Sequence, residues 1–510
     1  MLVLAFPDYN LNWLAWIGLV PLLIAISGKS LKYAFFLSLV CGIVYFAGNF
    51  DWMFKVPGYK LYHQAILTTF MGLYFALFGL AFNFINRRLG PDYTHLSAPF
   101  IWALLEYLRS HFFFLALPWV LLAHTQYQVR PLIQVAAITG EYGISFLIVL
   151  VNSAVAMVLK FFLTSEEWTK KDNHNRISKR QVLLITGTTA ALLIITFTYG
   201  LTILSRPLPK EMIKLSVVQG NIEQSKKWNP RYAKFIMNVH TELSREAAKD
   251  RPAMIVWPEA STPGFILANK ALKNLIISLA KDTRTYYLIG SSEFAKFAKD
   301  SIKIRTKQGN TALFFSPEGK VLGQYVKIRL YPFGEYVPYE SVISWPEFII
   351  PKNKRRFQIA GKEYTLFHLE KSKFGVVICW EIAFPVLFST FVKNGAEFMI
   401  NISNEAWFGE SQFSKQFVAV CVMRAVENRI AIARAGNTGV SCFIDPSGKV
   451  TGRVKQNNKD IFVRGYLTQN IPISRKKTFY TLYGNVFVYI CIAEALAVIA
   501  LAFVRVRRIP

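Results

Sequence analysis

KSKFGVVICWEIAFP, residues 371–385, is the stretch from which the fold is read outward. Phe374 to Ile378 is a β-branched and aromatic run of the kind that forms a buried strand, and it stops at Cys379, Trp380 and Glu381 before a second apolar run begins. A thiol in that position sits on a strand-to-helix turn. Such a turn holds a nucleophile clear of the sheet and leaves backbone N–H groups free for the oxyanion of an acyl-transfer intermediate. By residue type alone a cysteine after an apolar run is more often part of a core, so the chain on either side has to decide.

Composition points to a membrane. Of 510 residues 53% are hydrophobic, and the mean hydropathy is +0.30, more apolar than an ordinary soluble chain. A net charge of +28 could serve nucleic acid, but beside long apolar runs Lys and Arg mark cytoplasmic loops and lipid headgroups, so no nucleic-acid partner is expected. The five cysteines form no CxxC pair and no Cys/His cluster, which argues against zinc or a disulfide framework. Neither a metal nor a cofactor is expected. Aromatics make up 15% of the residues, and Trp13, Trp16, Trp52 and Trp119 lie near segment ends, as interfacial anchors do.

Residues 1–6 are apolar but too short to span and are followed at once by FPDYN, so they read as the end of a helix; no signal-peptide pattern is present. The runs at 11–27, 31–50, 63–86, 97–113, 131–161 and 181–204 approach the ~20 residues needed to cross a bilayer. Cations gather in alternate connections: Lys29 and Lys32; Arg87 and Arg88; then Lys170, Lys171, Arg176, Lys179 and Arg180. The positive-inside rule puts these on the cytoplasmic side. The expected division is therefore 1–205, transmembrane helices; 206–480, an α/β domain outside the cytoplasm; and 481–510, a last helix with Arg505, Arg507 and Arg508 inside. In the middle region, about 275 residues are ample for one core. Within it, runs such as KLSVVQG, AMIVWPE, TYYLIGSS, EFMINISN and GVSCFIDPSG read as strands. Helical patterns at 231–249, 267–281 and 412–433 lie between some of them, and SPEG and DPSG mark turns.

Three strand ends carry reactive groups: Glu259 after AMIVWPE, Lys327 after LGQYV, and Cys379. A thiol attacks as thiolate and needs a base or a positive field. A buried carboxylate can take its proton, and an ammonium can favour the thiolate and then face the oxyanion. Glu335, in the rigid turn YPFGEYVP, and Glu381 lie close in sequence to this set, and either could hydrogen-bond and orient Lys327. Each alone is also what a solvated loop residue looks like. In the membrane region, Glu106 and Arg109 share one helix face and are expected to pair with each other; Glu141 is a further charge in an apolar run.

WPEAS at 257–261, KIRLYPFGEYVP at 327–338, CWEIAFP at 379–385, NISNEAWFG at 401–409 and RAVENRIAIARAGNTG at 424–439 resemble the successive blocks of the carbon–nitrogen hydrolase, or nitrilase, superfamily. With flanking membrane helices and VQGNIEQSKKW at 218–228, the resemblance narrows to the apolipoprotein N-acyltransferase family. It implies a polytopic α-helical membrane domain plus an extracytoplasmic nitrilase-like αββα sandwich. It also implies Glu259 as general base, Lys327 as stabilising cation, Cys379 as nucleophile, Glu335 and Glu381 as supporting carboxylates, and Trp228 and Trp380 as substrate-binding residues. The implied reaction moves an acyl chain from a phospholipid, typically phosphatidylethanolamine, to the α-amine of a diacylglyceryl-cysteine on an apolipoprotein, through a thioester in the bacterial inner membrane.

Two departures stand out. The family has eight membrane helices where this chain offers seven full candidates, and Trp380 occupies a position often held by tyrosine. Two rivals remain at this point: a membrane-anchored amidase using water as acceptor, and a transporter or lipid-binding scaffold without turnover.

Overall fold

The computed structural model describes residues 1–163, 177–294, 308–350 and 358–505. It divides into two compact units, one formed by Met1–Arg206 with Tyr483–Pro510 and one by Pro207–Leu482.

In the first unit, five described helices are long and apolar enough to cross a membrane: Leu31–Asn49, Leu61–Leu89, Glu141–Leu163, Lys179–Leu204 and Val486–Val504. A further 21-residue helix, Pro91–His111, covers the run at 97–113. Leu31–Asn49 and Leu61–Leu89 pack through glycine: a Cβ on Gly42 would stand 2.8 Å from the Gly72 Cα, the small-residue contact by which membrane helices approach. Gly90, with φ of 96°, ends one helix and Pro91 opens the next.

Three expectations are corrected. The run at 11–27 is a 3₁₀ turn, Asn12–Trp16, and a seven-residue helix, Val20–Ile26. The backbone groups this break frees are taken up by Asn152, whose Oδ1 accepts from Leu19 N and whose Nδ2 donates to Ala15 O, both at 2.8 Å; irregular backbone survives at membrane depth only with such partners. The run at 131–161 is interrupted at Gly140, and its long helix starts at Glu141. Glu106 and Arg109 do not form an ion pair. Arg109 Nη1 donates to Leu117 O at 3.1 Å and Trp119 O at 2.7 Å, while Glu106 Oε1 accepts from Leu122 N at 3.0 Å. Both charges hold the loop after their own helix. Glu141 accepts from His124 Nε2 at 2.9 Å. Lys170, Lys171, Arg176, Arg507 and Arg508 lie outside the described residues.

The second unit has twelve strands: β1 Met212–Gln219, β2 Met254–Val256, β3 Tyr286–Phe294, β4 Gln308–Phe315, β5 Val321–Val326, β6 Leu366–Leu369, β7 Ser372–Ile378, β8 Phe398–Ser403, β9 Ile432–Gly436, β10 Cys442–Ile444, β11 Val450–Arg453 and β12 Gly465–Pro472. They form two six-stranded sheets, ordered β12-β1-β2-β3-β4-β5 and β11-β10-β9-β8-β7-β6. Each sheet has a parallel centre, β1-β2-β3 in one and β7-β8-β9 in the other, with antiparallel edges. Helices Ala233–Lys249 and Lys270–Thr283 link the first parallel set; Pro385–Lys393 and Phe413–Asn428 link the second.

Strand alternation shows the layering. Leu313 and Phe315 of β4 join Met237, Leu272 and Ile276 in the helix-side core, while Phe314 between them meets Phe374 of the other sheet at 5.3 Å. The result is an αββα sandwich. The helical pattern at 412–433 ends sooner than expected, at Asn428: Arg429 turns left-handed, φ 51°, and β9 follows.

Candidate active site

Three sequence-distant segments converge in the second unit. Glu259 lies three residues past β2 and is buried. Its backbone is tightly seated, since a Cβ on Gly290 of β3 would come within 2.2 Å of Pro258 O; only glycine permits that approach. Lys327 follows β5 directly, its N–H continuing the ladder to Asn310 O at 2.8 Å. Glu335 sits on the turn after it, accepting from Tyr331 N at 2.7 Å. These carboxylates share one ammonium: Lys327 Nζ is 2.8 Å from Glu335 Oε1 and 3.6 Å from Glu259 Oε1. Burial pulls the Lys327 pKa down, but Glu335 and then Glu259 outweigh it and hold it above the ordinary lysine value.

Cys379 directly follows β7, with φ of 51°. A left-handed cysteine is strained, and such strain is maintained only by its surroundings. Here Asn401 Nδ2 donates to Val377 O at 3.1 Å and Cys379 O at 3.4 Å. Asn401 is itself held by Arg434, which pairs with buried Glu405. The turn continues as a 3₁₀ helix, Cys379–Ala383. Burial first, then the Glu259 carboxylate, push the Cys379 thiol up to about 12, against the pull of the Lys327 ammonium. The thiol is therefore protonated at rest, and a base that receives its proton during attack fits the site better than a standing thiolate.

Glu381 is fully buried and does its work through backbone. Oε2 accepts from Ile378 N at 2.7 Å; Oε1 accepts from Ile328 N at 2.6 Å, Arg329 N at 3.0 Å and the Tyr325 hydroxyl at 2.7 Å. One side chain thus joins the cysteine turn to the segment just after Lys327. Burial lifts its pKa to about 7 against those hydrogen bonds. Trp380 is buried, packed edge-on against Tyr331 at 5.4 Å and Phe384 at 5.6 Å. Trp228 is exposed at the end of the short helix Gln224–Lys227.

Sequence reasoning missed three residues here. Asn310 Nδ2 donates to Glu259 Oε1 at 2.6 Å and to Glu335 Oε1 at 3.1 Å. Asn404 N donates to Glu259 Oε2 at 2.7 Å. Lys227 Nζ donates to the main-chain oxygen of Glu259 at 2.9 Å. Lys227 and Asn404 lie inside the recognised blocks VQGNIEQSKKW and NISNEAWFG, which was the available signal; Asn310 reads as an ordinary strand residue. Among the described residues no group of three or more His, Cys, Asp or Glu is placed to hold a metal.

A strained thiol at a strand end, a carboxylate and an ammonium between two sheets define a carbon–nitrogen hydrolase domain, and the family model described as carbon-nitrogen hydrolase matches residues 214–471. A second model, the apolipoprotein N-acyltransferase N-terminal domain, matches residues 1–154. The chain is 33% identical to an apolipoprotein N-acyltransferase of Geobacter metallireducens over 99% of this chain and 94% of that one. It is 27% identical to that of Chlorobaculum tepidum over 98% and 94%. An amidase from Nesterenkonia sp. aligns with 53% of this chain and 94% of its own at 16% identity, with a TM-score of 0.38. The chain belongs to the apolipoprotein N-acyltransferase family.

Proposed function

We propose that the chain acylates the α-amino group of a lipoprotein's diacylglyceryl-cysteine, taking the acyl chain from a phospholipid, with phosphatidylethanolamine the donor. The observation that carries the reading is the meeting of Glu259, Lys327 and Glu335 at 2.8–3.6 Å with Cys379 inside their field, in a chain that also carries membrane-length helices. Glu259 takes the thiol proton as Cys379 Sγ attacks the ester carbonyl, and the oxyanion forms beside Lys327. The intermediate collapses; the lysophospholipid leaves with the proton from Glu259, and a thioester remains. The amine then attacks, gives a proton to Glu259, and expels the thiolate, which Glu259 reprotonates. Glu335 and Asn310 hold Lys327 and Glu259 in register, Glu381 holds the two loops, and Trp228 and Trp380 serve substrate binding.

By the positive-inside rule residues 206–480 face away from the cytoplasm, across a bacterial inner membrane. The experiment that separates this reading from an amidase is discharge of the acyl-loaded protein. A diacylglyceryl peptide with a free α-amine should remove the acyl group within turnover time while water alone leaves it in place. Equally fast loss to water would favour hydrolysis.

A further inference from the structure

Lys227 is almost fully buried, yet no substrate role in the steps above uses it. A buried ammonium is costly unless it is hydrogen-bonded and charge-paired. Its contacts explain its place. Nζ donates to the Glu259 carbonyl oxygen at 2.9 Å, on the residue just before Ala260, which adopts φ of 43°. The segment that carries Lys227 is tied to Glu259 a second way: Gln224 Oε1 accepts from Asn404 Nδ2 at 2.9 Å, and the Asn404 N–H reaches Glu259 Oε2. Trp228, next in the chain, is exposed.

We propose that Lys227 is a positioning residue for the acyl-transfer chemistry: its ammonium fixes the backbone of Glu259 and supplies the second positive charge that, with Lys327, balances the Glu259 and Glu335 carboxylates. The inference rests on the assignment of Glu259 as base. The groups facing Lys227 are the Glu259 carboxylate, the Cys379 thiol and the ring of His240. Burial lowers the Lys227 pKa to about 8, against the opposing pull of Glu259 and then Cys379, so it is charged at neutral pH. His240 donates from Nδ1 to Ile236 O at 2.9 Å, and burial lowers its pKa to about 4, so it is neutral there and adds no compensating charge. With Lys227 uncharged, the Glu259 and Glu335 carboxylates would keep Lys327 as their ammonium neighbour and lose the charge held at the Glu259 main chain. Loss of a nearby positive charge favours the protonated form of a carboxylate, so the acid limb of the rate profile would move to higher pH.

The test is the rate of single-turnover acylation of the full-length protein by phosphatidylethanolamine vesicles, followed by intact mass across pH. Lys227→Met should slow acylation about tenfold or more and shift its acid limb upward by about half a pH unit or more. Lys227→Arg should keep the limb at its wild-type pH. Should the Met variant fail to fold, Lys227→Gln, which keeps a donor but no charge, should show the same upward shift. A wild-type rate, or a slow rate with an unmoved limb in the Gln or Met variant, would overturn the inference. Glu259→Gln and Cys379→Ala run alongside: acylation surviving in either would instead overturn the underlying assignment of the base or the nucleophile.

Discussion

The ammonium of Lys327 stops 3.6 Å short of the Glu259 carboxylate. Its hydrogen bond goes to Glu335, at 2.8 Å, while the Glu259 oxygens accept from Asn310 Nδ2 and Asn404 N, so Lys327 acts on Glu259 as a nearby charge rather than as a hydrogen-bond partner. That division needs a compact cation. An arginine brings a planar fork that engages carboxylates two bonds at a time. Lys327→Arg should therefore lower acyl transfer by at least the ~10²-fold typical of losing an oxyanion donor. Near-normal turnover would mean that Lys327 acts only as a remote charge.

Glu381 is predicted to matter for folding as much as for rate. Its two oxygens accept from three backbone N–H groups and one hydroxyl, all in the buried seam between the cysteine turn and the lysine loop. In Glu381→Gln an NH₂ must face at least one of those donors, and a buried donor left unsatisfied costs about 1–3 kcal/mol. A clear fall in the thermal unfolding midpoint is expected, together with loss of activity. An unchanged midpoint would contradict the structural part of this account.

Much of this was legible in the sequence, because the residues that do chemistry sit at strand ends and strand runs are local signals. Cys379 and Glu259 follow β-branched runs, and Lys327 follows the short run LGQYV. The links between segments were not legible. By spacing alone, either Glu335 or Glu381 could orient Lys327. Glu335 meets the ammonium, while Glu381 acts through the N–H groups of Ile328 and Arg329, a distinction that depends on side-chain direction rather than spacing. Asn310 couples two carboxylates across 51 and 25 residues, and nothing in its neighbourhood announces it. The break at 11–27 was hidden for the same reason: Asn152, more than 130 residues away in sequence, satisfies the backbone there. Glu106 and Arg109 have the spacing of a pair, but a loop offering unpaired N–H and C=O groups won both.

The resting thiol of Cys379 is predicted to be protonated. Burial and the neighbouring Glu259 carboxylate lift its pKa to about 12, so thiolate appears only as pH climbs toward that value. Difference absorbance between the wild type and Cys379→Ser should show no thiolate step from about pH 6 to about pH 10. A step below about pH 8 would point to a preformed ion pair with Lys327 in place of general-base activation.

Topology provides a separate check. Cysteine labelling from either side of the membrane should place sites in residues 206–480 outside the cytoplasm and sites in the loop at 162–180 inside it. Labelling of that loop from outside would invert the proposed orientation.

Cys379 is expected to carry the acyl chain before any acceptor arrives, and the intact mass of the protein incubated with phospholipid alone reads this out. One added acyl mass is expected on a peptide containing Cys379, removable by neutral hydroxylamine as a thioester is. Cys379→Ala should bear none, whereas Cys421→Ala and Cys442→Ala, which alter fully buried thiols elsewhere, should label as the wild type does. Label that persists in Cys379→Ala, or active enzyme that never takes up label without lipoprotein, would contradict the two-step mechanism and the choice of nucleophile.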